Sequence, residues 1–152
     1  MFRMQAVSIV AGALMAASLS APVAFAADHQ IQMVNKGPDG KPMQFDPAFL
    51  KVEPGDTVTF VAKDKGHDSM SIAGMLPEGA DGWKGKINEE ITVTFEKPGL
   101  YAYKCEPHFG MGMVGLIEVG GDVSNLEALK SVKLPGAAKK KMAALLEEAE
   151  AK

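Results

Sequence analysis

Polar and hydrophobic positions alternate in four short runs through the middle of the chain: Gln30–Val34, Thr57–Val61, Glu90–Phe95 and Leu100–Lys104. A period of two with β-branched and aromatic residues predicts strands that bury one face. A fifth run, Met113–Val119, is apolar almost throughout and predicts a more deeply buried strand. Turn signals separate the runs, at Gly37-Pro38-Asp39-Gly40, Pro54-Gly55-Asp56 and Pro98-Gly99. No helical period intervenes, so the expectation is an antiparallel sandwich or barrel rather than a parallel α/β sheet. After residue 122 the period changes. Ser124 is predicted to cap a short helix carrying Leu126, Leu129 and Val132, and Pro135-Gly136 to end it. A second helix carries Met142, Leu145, Leu146 and Ala149 on the face expected to pack on the sandwich.

The first 26 residues stand apart. Arg3, the only arginine, precedes an apolar stretch from about Ala6 to Leu19, and Ala24-Phe25-Ala26 has the small-x-small form of a secretory cleavage site. The stretch is shorter than the roughly 20 apolar residues of a spanning helix, so the reading is export with cleavage after about Ala26, not a membrane anchor. The expected organisation is a cleaved signal peptide (1–26), a sandwich (27–122) and a helical extension (123–152). Composition agrees with a globular domain, at 47% hydrophobic and 23% charged residues. The formal net charge of −3 argues against general nucleic-acid binding. Residues 27–122 hold nine lysines against fifteen acids, whereas 123–152 hold six lysines against four acids.

One cysteine in the whole chain excludes an internal disulfide and any zinc site built on two thiolates. In an oxidising compartment a lone thiol is buried, metal-bound or reactive. Its surroundings, Cys105-Glu106-Pro107-His108-Phe109-Gly110-Met111-Gly112-Met113, place a thiol, an imidazole and two thioethers in one loop between predicted strands. Thiolate, imidazole and thioether together suit copper in either oxidation state, and a His₂Cys plane needs a second histidine. His67, at the end of another strand, is the candidate. His29, near the new N-terminus, is read as solvated.

With Asp64-Lys65-Gly66-His67, Asn35-Lys36-Gly37, Pro54-Gly55-Asp56-Thr57-Val58-Thr59-Phe60, Lys86-Ile87-Asn88-Glu89 and Gly110–Gly115, this loop resembles the cupredoxins over essentially all of residues 28–150. The resemblance implies an all-β, Greek-key β-sandwich with two C-terminal α-helices and one copper ion (Cu⁺/Cu²⁺) per chain. By resemblance, His67, Cys105 and His108 form the trigonal plane of a type 1 blue copper site, with Met113 as the weak axial ligand. Met111 would suit a shorter loop. The family pattern places an amide residue after the first histidine and a hydroxyl residue after the cysteine; here these are Asp68 and Glu106. Two carboxylates facing one another could not both stay ionised in contact with each other, so the expectation is a looser outer shell or an altered potential.

The resemblance further implies a periplasmic, monomeric one-electron carrier, not an enzyme. Its partners would be redox proteins such as a copper nitrite reductase and c-type cytochromes, and it would neither bind nucleic acid nor insert in a membrane. Electrons would pass through the edge of His108, within an apolar patch of Met43, Pro107, Phe109, Met111 and Gly112. Lys36, Lys65, Lys84, Lys86 and Lys104 would ring that patch. From the residues alone two other readings remain, a periplasmic copper chaperone or buffer and a Cys-His enzyme. The seven methionines after residue 26 are scattered, which weighs against the first. Cys105 and His108 in one loop with Met113 fit a ligand set better than a nucleophile and base. Trp83 is read as a packed cap on the sandwich edge.

Overall fold

The computed structural model describes residues 24–151; most of the predicted leader, residues 1–23, lies outside the described residues. Eight strands and two helices follow in order: β1 (Asp28–Lys36), β2 (Pro42–Asp46), β3 (Phe49–Val52), β4 (Thr57–Ala62), β5 (Met70–Ser71), β6 (Ile91–Thr94), β7 (Gly99–Lys104), β8 (Val114–Val119), α1 (Leu126–Ser131) and α2 (Gly136–Glu150). They form two four-stranded sheets, ordered β2-β1-β4-β6 and β3-β8-β7-β5.

The sheets are mixed, not antiparallel throughout. β1 runs parallel to β4, with Ile31 opposite Phe60, and β3 runs parallel to β8, with Leu50 opposite Ile117. Neither pair is adjacent in sequence, so hairpin spacing carries no sign of them. β2 and β3 were not expected as strands. They are short edge strands; Pro42 opens β2 and Pro47 follows its end, and a sheet tolerates proline only at its edge.

Alternation places Ile31, Met33, Val58 and Phe60 between the sheets, where they meet Phe45, Tyr101, Tyr103 and Ile117. β7 and β8 are buried on both faces. Tyr101, Tyr103 and Ile117 point into the inter-sheet core, while Leu100, Ala102, Val114 and Leu116 point outward against Leu129, Met142, Leu145 and Leu146 of the helices. The C-terminal extension therefore accounts for the nearly continuous apolar run of β8, which only Glu118 interrupts. Each such side chain contributes on the order of 2 kcal/mol when fully buried.

Asn125, not Ser124, is the residue that caps α1, and its side chain makes no bond to the helix. Its carboxamide instead donates to the Leu100 carbonyl and accepts from the Leu100 N–H, both at 2.9 Å. β5 is only two residues long, so the outer edge of β7 runs out of partners, and Asn125 completes it beyond Met75, whose carbonyl accepts from Ala102. Asn125→Leu should therefore cost about 2 kcal/mol, measured by denaturant unfolding, because it orphans a donor and an acceptor at once.

Candidate metal centre

β1 and β4 are parallel and finish at the same end of the sandwich, where β7 also ends and β8 begins. Three loops meet there: the turn after β1, the segment 63–69, and the loop 105–113. That last loop closes on itself. Cys105 N–H donates to the Met113 carbonyl at 3.0 Å, and Met113 N–H to the His108 carbonyl at 3.2 Å. Gly112 lies at φ +88°, and a Cβ there would stand 3.1 Å from the Ala137 carbonyl oxygen, so the first turn of α2 presses directly on the loop.

These constraints bring His67, Cys105 and His108 together, with their donor atoms all within 4.8 Å of one another. Cys105 Sγ lies 3.7 Å from His67 Nδ1 and 3.5 Å from His108 Nδ1. A first-row ion bonded to thiolate at about 2.3 Å and imidazole at about 2.0 Å separates those atoms by roughly 3.5–3.8 Å at tetrahedral to trigonal angles. The three side chains are thus spaced to hold one metal ion. Met113 is fully buried in the same cluster as Cys105, whereas Met111 is 53% exposed.

The ring of His67 is aimed by a residue that sequence reasoning used only as a family marker. Its Nε2 lies 2.9 Å from Asn35 Oδ1. A carbonyl oxygen only accepts, so Nε2 carries the proton and Nδ1 presents its lone pair toward Cys105. Asn35 is held in turn by its own N–H, which donates to Asp64 at 2.7 Å. A second brace is the segment 83–88, which runs antiparallel to 67–71: Asn88 N–H donates to the His67 carbonyl, Gly85 to Ser69, and Ser71 to Trp83. Trp83 itself is packed, stacked on Phe60 with centroids 5.7 Å apart and donating from Nε1 to Ser69 Oγ. Asn35→Leu should weaken metal affinity about 10–100-fold while leaving the fold intact, as loss of such orienting contacts does elsewhere. Competition with a chelator checks this.

Burial holds the pKa of His67 below the ordinary histidine value, reinforced by the neighbouring His108 and opposed by Asp64 and Asp68. Burial likewise pushes the Cys105 thiol up to about 11. Both shifts favour neutral forms, and a bound cation supplies the charge that a thiolate here would need.

Asp68 and Glu106 do not face each other. Asp68 is buried, and its Oδ1 accepts the Glu106 backbone N–H at 2.7 Å, tying the two donor loops together through main chain. The Glu106 side chain turns to solvent and pairs with Lys104 Nζ at 2.6 Å. Lys104 is half-buried, and its ammonium also lies 4.6 Å from the Phe109 ring centroid, so it is a paired cation while Lys36, Lys65, Lys84 and Lys86 are exposed. Around His108, which is half-buried, Pro107 and Met111 are exposed; Met43 and Phe109 are half-buried against the two core clusters. His29 is not simply solvated: it lies in β1 with Nε2 2.9 Å from Asp56 Oδ2.

Residues 31–120 match the model of the copper binding proteins of the plastocyanin/azurin family. The chain belongs to that family. The cupredoxin is 50% identical to a pseudoazurin of Paracoccus pantotrophus over 139 residues, spanning 91% of this chain and 94% of the relative. It is 44% identical to a pseudoazurin of Methylorubrum extorquens, spanning 83% of this chain and 85% of the other. A solved pseudoazurin structure from Sinorhizobium superposes with a TM-score of 0.80 at 54% identity, over 82% of this chain and 98% of that one. As a cupredoxin of this kind the protein binds one copper ion and is an electron carrier with redox partners, not an enzyme.

Proposed function

We propose that His67 Nδ1, Cys105 Sγ, His108 Nδ1 and the Met113 thioether would hold the copper ion, and that His108 is the exit for electrons. The supporting observation is the spacing of the three donor atoms around a His67 ring whose tautomer Asn35 sets. Bound copper supplies a one-electron couple, and this ligand set leaves no position for a substrate. The protein's own part is to keep the donors fixed through both oxidation states: Asn35 and Asn88 brace His67, Asp68 braces the Cys105 loop, and α2 buttresses Gly112. Among the described residues Met33, Met75, Met113 and Met142 are buried, leaving no exposed methionine cluster of the kind a copper-collecting surface needs.

The exchange face is the half-buried edge of His108 with Met111 and Pro107 beside it. Lys36, Lys65, Lys84 and Lys86 supply positive charge to steer an acidic partner surface. Periplasmic partners, a copper nitrite reductase as acceptor and c-type cytochromes as donors, fit such a face. The export signal at residues 1–26 supports that location, with the processed protein acting as a monomer. No helix among the described residues is long and apolar enough to cross a membrane.

The decisive experiment adds Cu(II) to the purified protein and records its visible spectrum and voltammetry. An intense thiolate-to-copper band that bleaches reversibly on one-electron reduction supports the assignment. A colourless, rapidly exchanging Cu(I) complex would overturn it. Replacement of the buried negative charge in Asp68→Asn keeps an oxygen for the Glu106 N–H and should raise the reduction potential by roughly tens of millivolts, since an anion near the site favours the more oxidised ion. An unchanged potential would show that Asp68 only ties the loops.

A further inference from the structure

Away from the copper face, one buried carboxylate gathers three donors. Asp56, at the turn into β4, accepts the Ala27 N–H on Oδ1 at 2.8 Å and the Glu53 N–H on Oδ2 at 2.9 Å, with His29 Nε2 2.9 Å from the same Oδ2. The two backbone donors, then His29, lower its pKa to about 2, so it is an anion at neutral pH. The Ala27 carbonyl in turn accepts from Thr57 N–H at 2.9 Å, one step beyond the parallel ladder that pairs Asp28 with Thr57. Ala27 is therefore fastened at both its nitrogen and its oxygen, while Ala24, Phe25 and Ala26 are exposed and outside any strand. Ala27 is exposed as well, and its two main-chain bonds, to Asp56 and Thr57, anchor the residue that would follow the cleavage site.

We infer that Asp56 is the binding site for the α-ammonium group created at Ala27 when the leader is removed, so that processing itself tightens the fold. The inference rests on the export reading. Hydrolysis of the Ala26–Ala27 bond by a leader-cleaving peptidase consumes one water, leaving a carboxylate on Ala26 and an amine on Ala27 that is largely protonated at neutral pH. Before cleavage the Ala27 nitrogen is a neutral amide donor. Afterwards the same position carries a full positive charge, and the bond to Asp56 becomes charge-assisted. Ala27 is exposed, so the ammonium keeps water on its remaining hydrogens and avoids most of the desolvation cost of a buried pair. The other titratable groups beside it are His29, on the far oxygen of Asp56, and Asp28, the next residue, whose carboxylate accepts the Thr57 hydroxyl.

Among the described residues every strand and helix lies between Asp28 and Glu150, so a chain beginning at Ala27 keeps all of these elements. Mass spectrometry of the exported protein separates the two readings: a chain that still carries residues 1–26 overturns the export reading, and cleavage at a bond other than Ala26–Ala27 overturns the ammonium site. The Asp56 site is tested on protein beginning at Ala27, with a free or an acetylated α-amine. Acetylation should raise the unfolding equilibrium constant about 5-fold, the scale of a good partly exposed ion pair, and should have no effect in Asp56→Asn. Should that variant fold poorly, the wild-type amine provides a second readout. Its pKa should lie above the 7.7–8.0 of a free terminal amine, with the added stability present below that range and fading as pH rises through the folded value. Equal stability of the free and acetylated forms, an unshifted amine, or the same acetylation effect in Asp56→Asn would each overturn the site.

Discussion

Cys105→Ser should abolish the visible absorption of the copper protein and lower copper affinity by more than the roughly 100-fold that loss of an orienting contact costs. The hydroxyl is a hard, weakly acidic donor, and the soft thiolate is what favours copper over competing ions at this position. Cys105 is fully buried in the inter-sheet cluster, and its neighbours Phe45, Tyr103 and Met113 remain in place. The variant should therefore fold, at a cost of about 1–2 kcal/mol for a hydroxyl in an apolar setting. Met113→Leu separates the roles within the loop. It keeps the donors of His67, Cys105 and His108, so the absorption band should survive, while loss of the Met113 thioether should shift the potential. Spectra and voltammograms of the two variants compared with native protein check both statements. A Cys105→Ser protein that still developed the native band would remove Cys105 from the site.

The loop was legible because its chemistry is local: Cys105, His108 and Met113 lie within nine residues, and a strand on each side fixes both ends of the loop. His67 was reachable from its place at a strand end. Asn35 was not, although it is plainly visible as a residue. Its contact with His67 spans 32 positions and exists because β1 lies parallel to β4, a pairing that leaves no mark in turn spacing. The acids at 68 and 106 show a different limit. Their types suggested a confrontation between side chains, yet the partner of Asp68 is a backbone N–H, and backbone groups carry no sequence signature. The same applies to Asn125, whose carboxamide pairs with main chain on β7 instead of capping its own helix.

The charge pattern is sharpened in the same way. Nine lysines against fifteen acids in residues 27–122 suggested an acidic body with a basic face. The pairing of Lys104 with Glu106 removes one cation from that face at the position nearest His108 in sequence. What remains for steering are the exposed Lys36, Lys65, Lys84 and Lys86, whose field is screened within about 10 Å at moderate salt.

Gly115→Ala should be the most damaging single methyl addition in the sandwich, costing about 3 kcal/mol or more and loosening the copper loop with it. In the β7–β8 ladder Gly115 stands opposite Tyr103, and a Cβ there would fall 2.2 Å from both Cζ and Oη of the tyrosine ring. The ring has nowhere to go. It is fully buried, edge-on to Phe45 at 4.7 Å and Phe60 at 5.0 Å, and 6.1 Å from the Trp83 indole that helps brace the His67 segment. Its hydroxyl has no hydrogen-bond partner among the described residues; the tyrosine is held by packing alone. Displacing it would move β7 two residues before Cys105 and β8 two residues after Met113, so the strain reaches both ends of the donor loop. Denaturant unfolding should show the stability loss, and the visible band should weaken or shift at copper saturation. Tyr103→Leu in the Gly115→Ala background frees the space and should recover part of both effects, whereas independent contributions would simply add. Full additivity would place the damage in the glycine's backbone and clear the Tyr103 ring of any part in it.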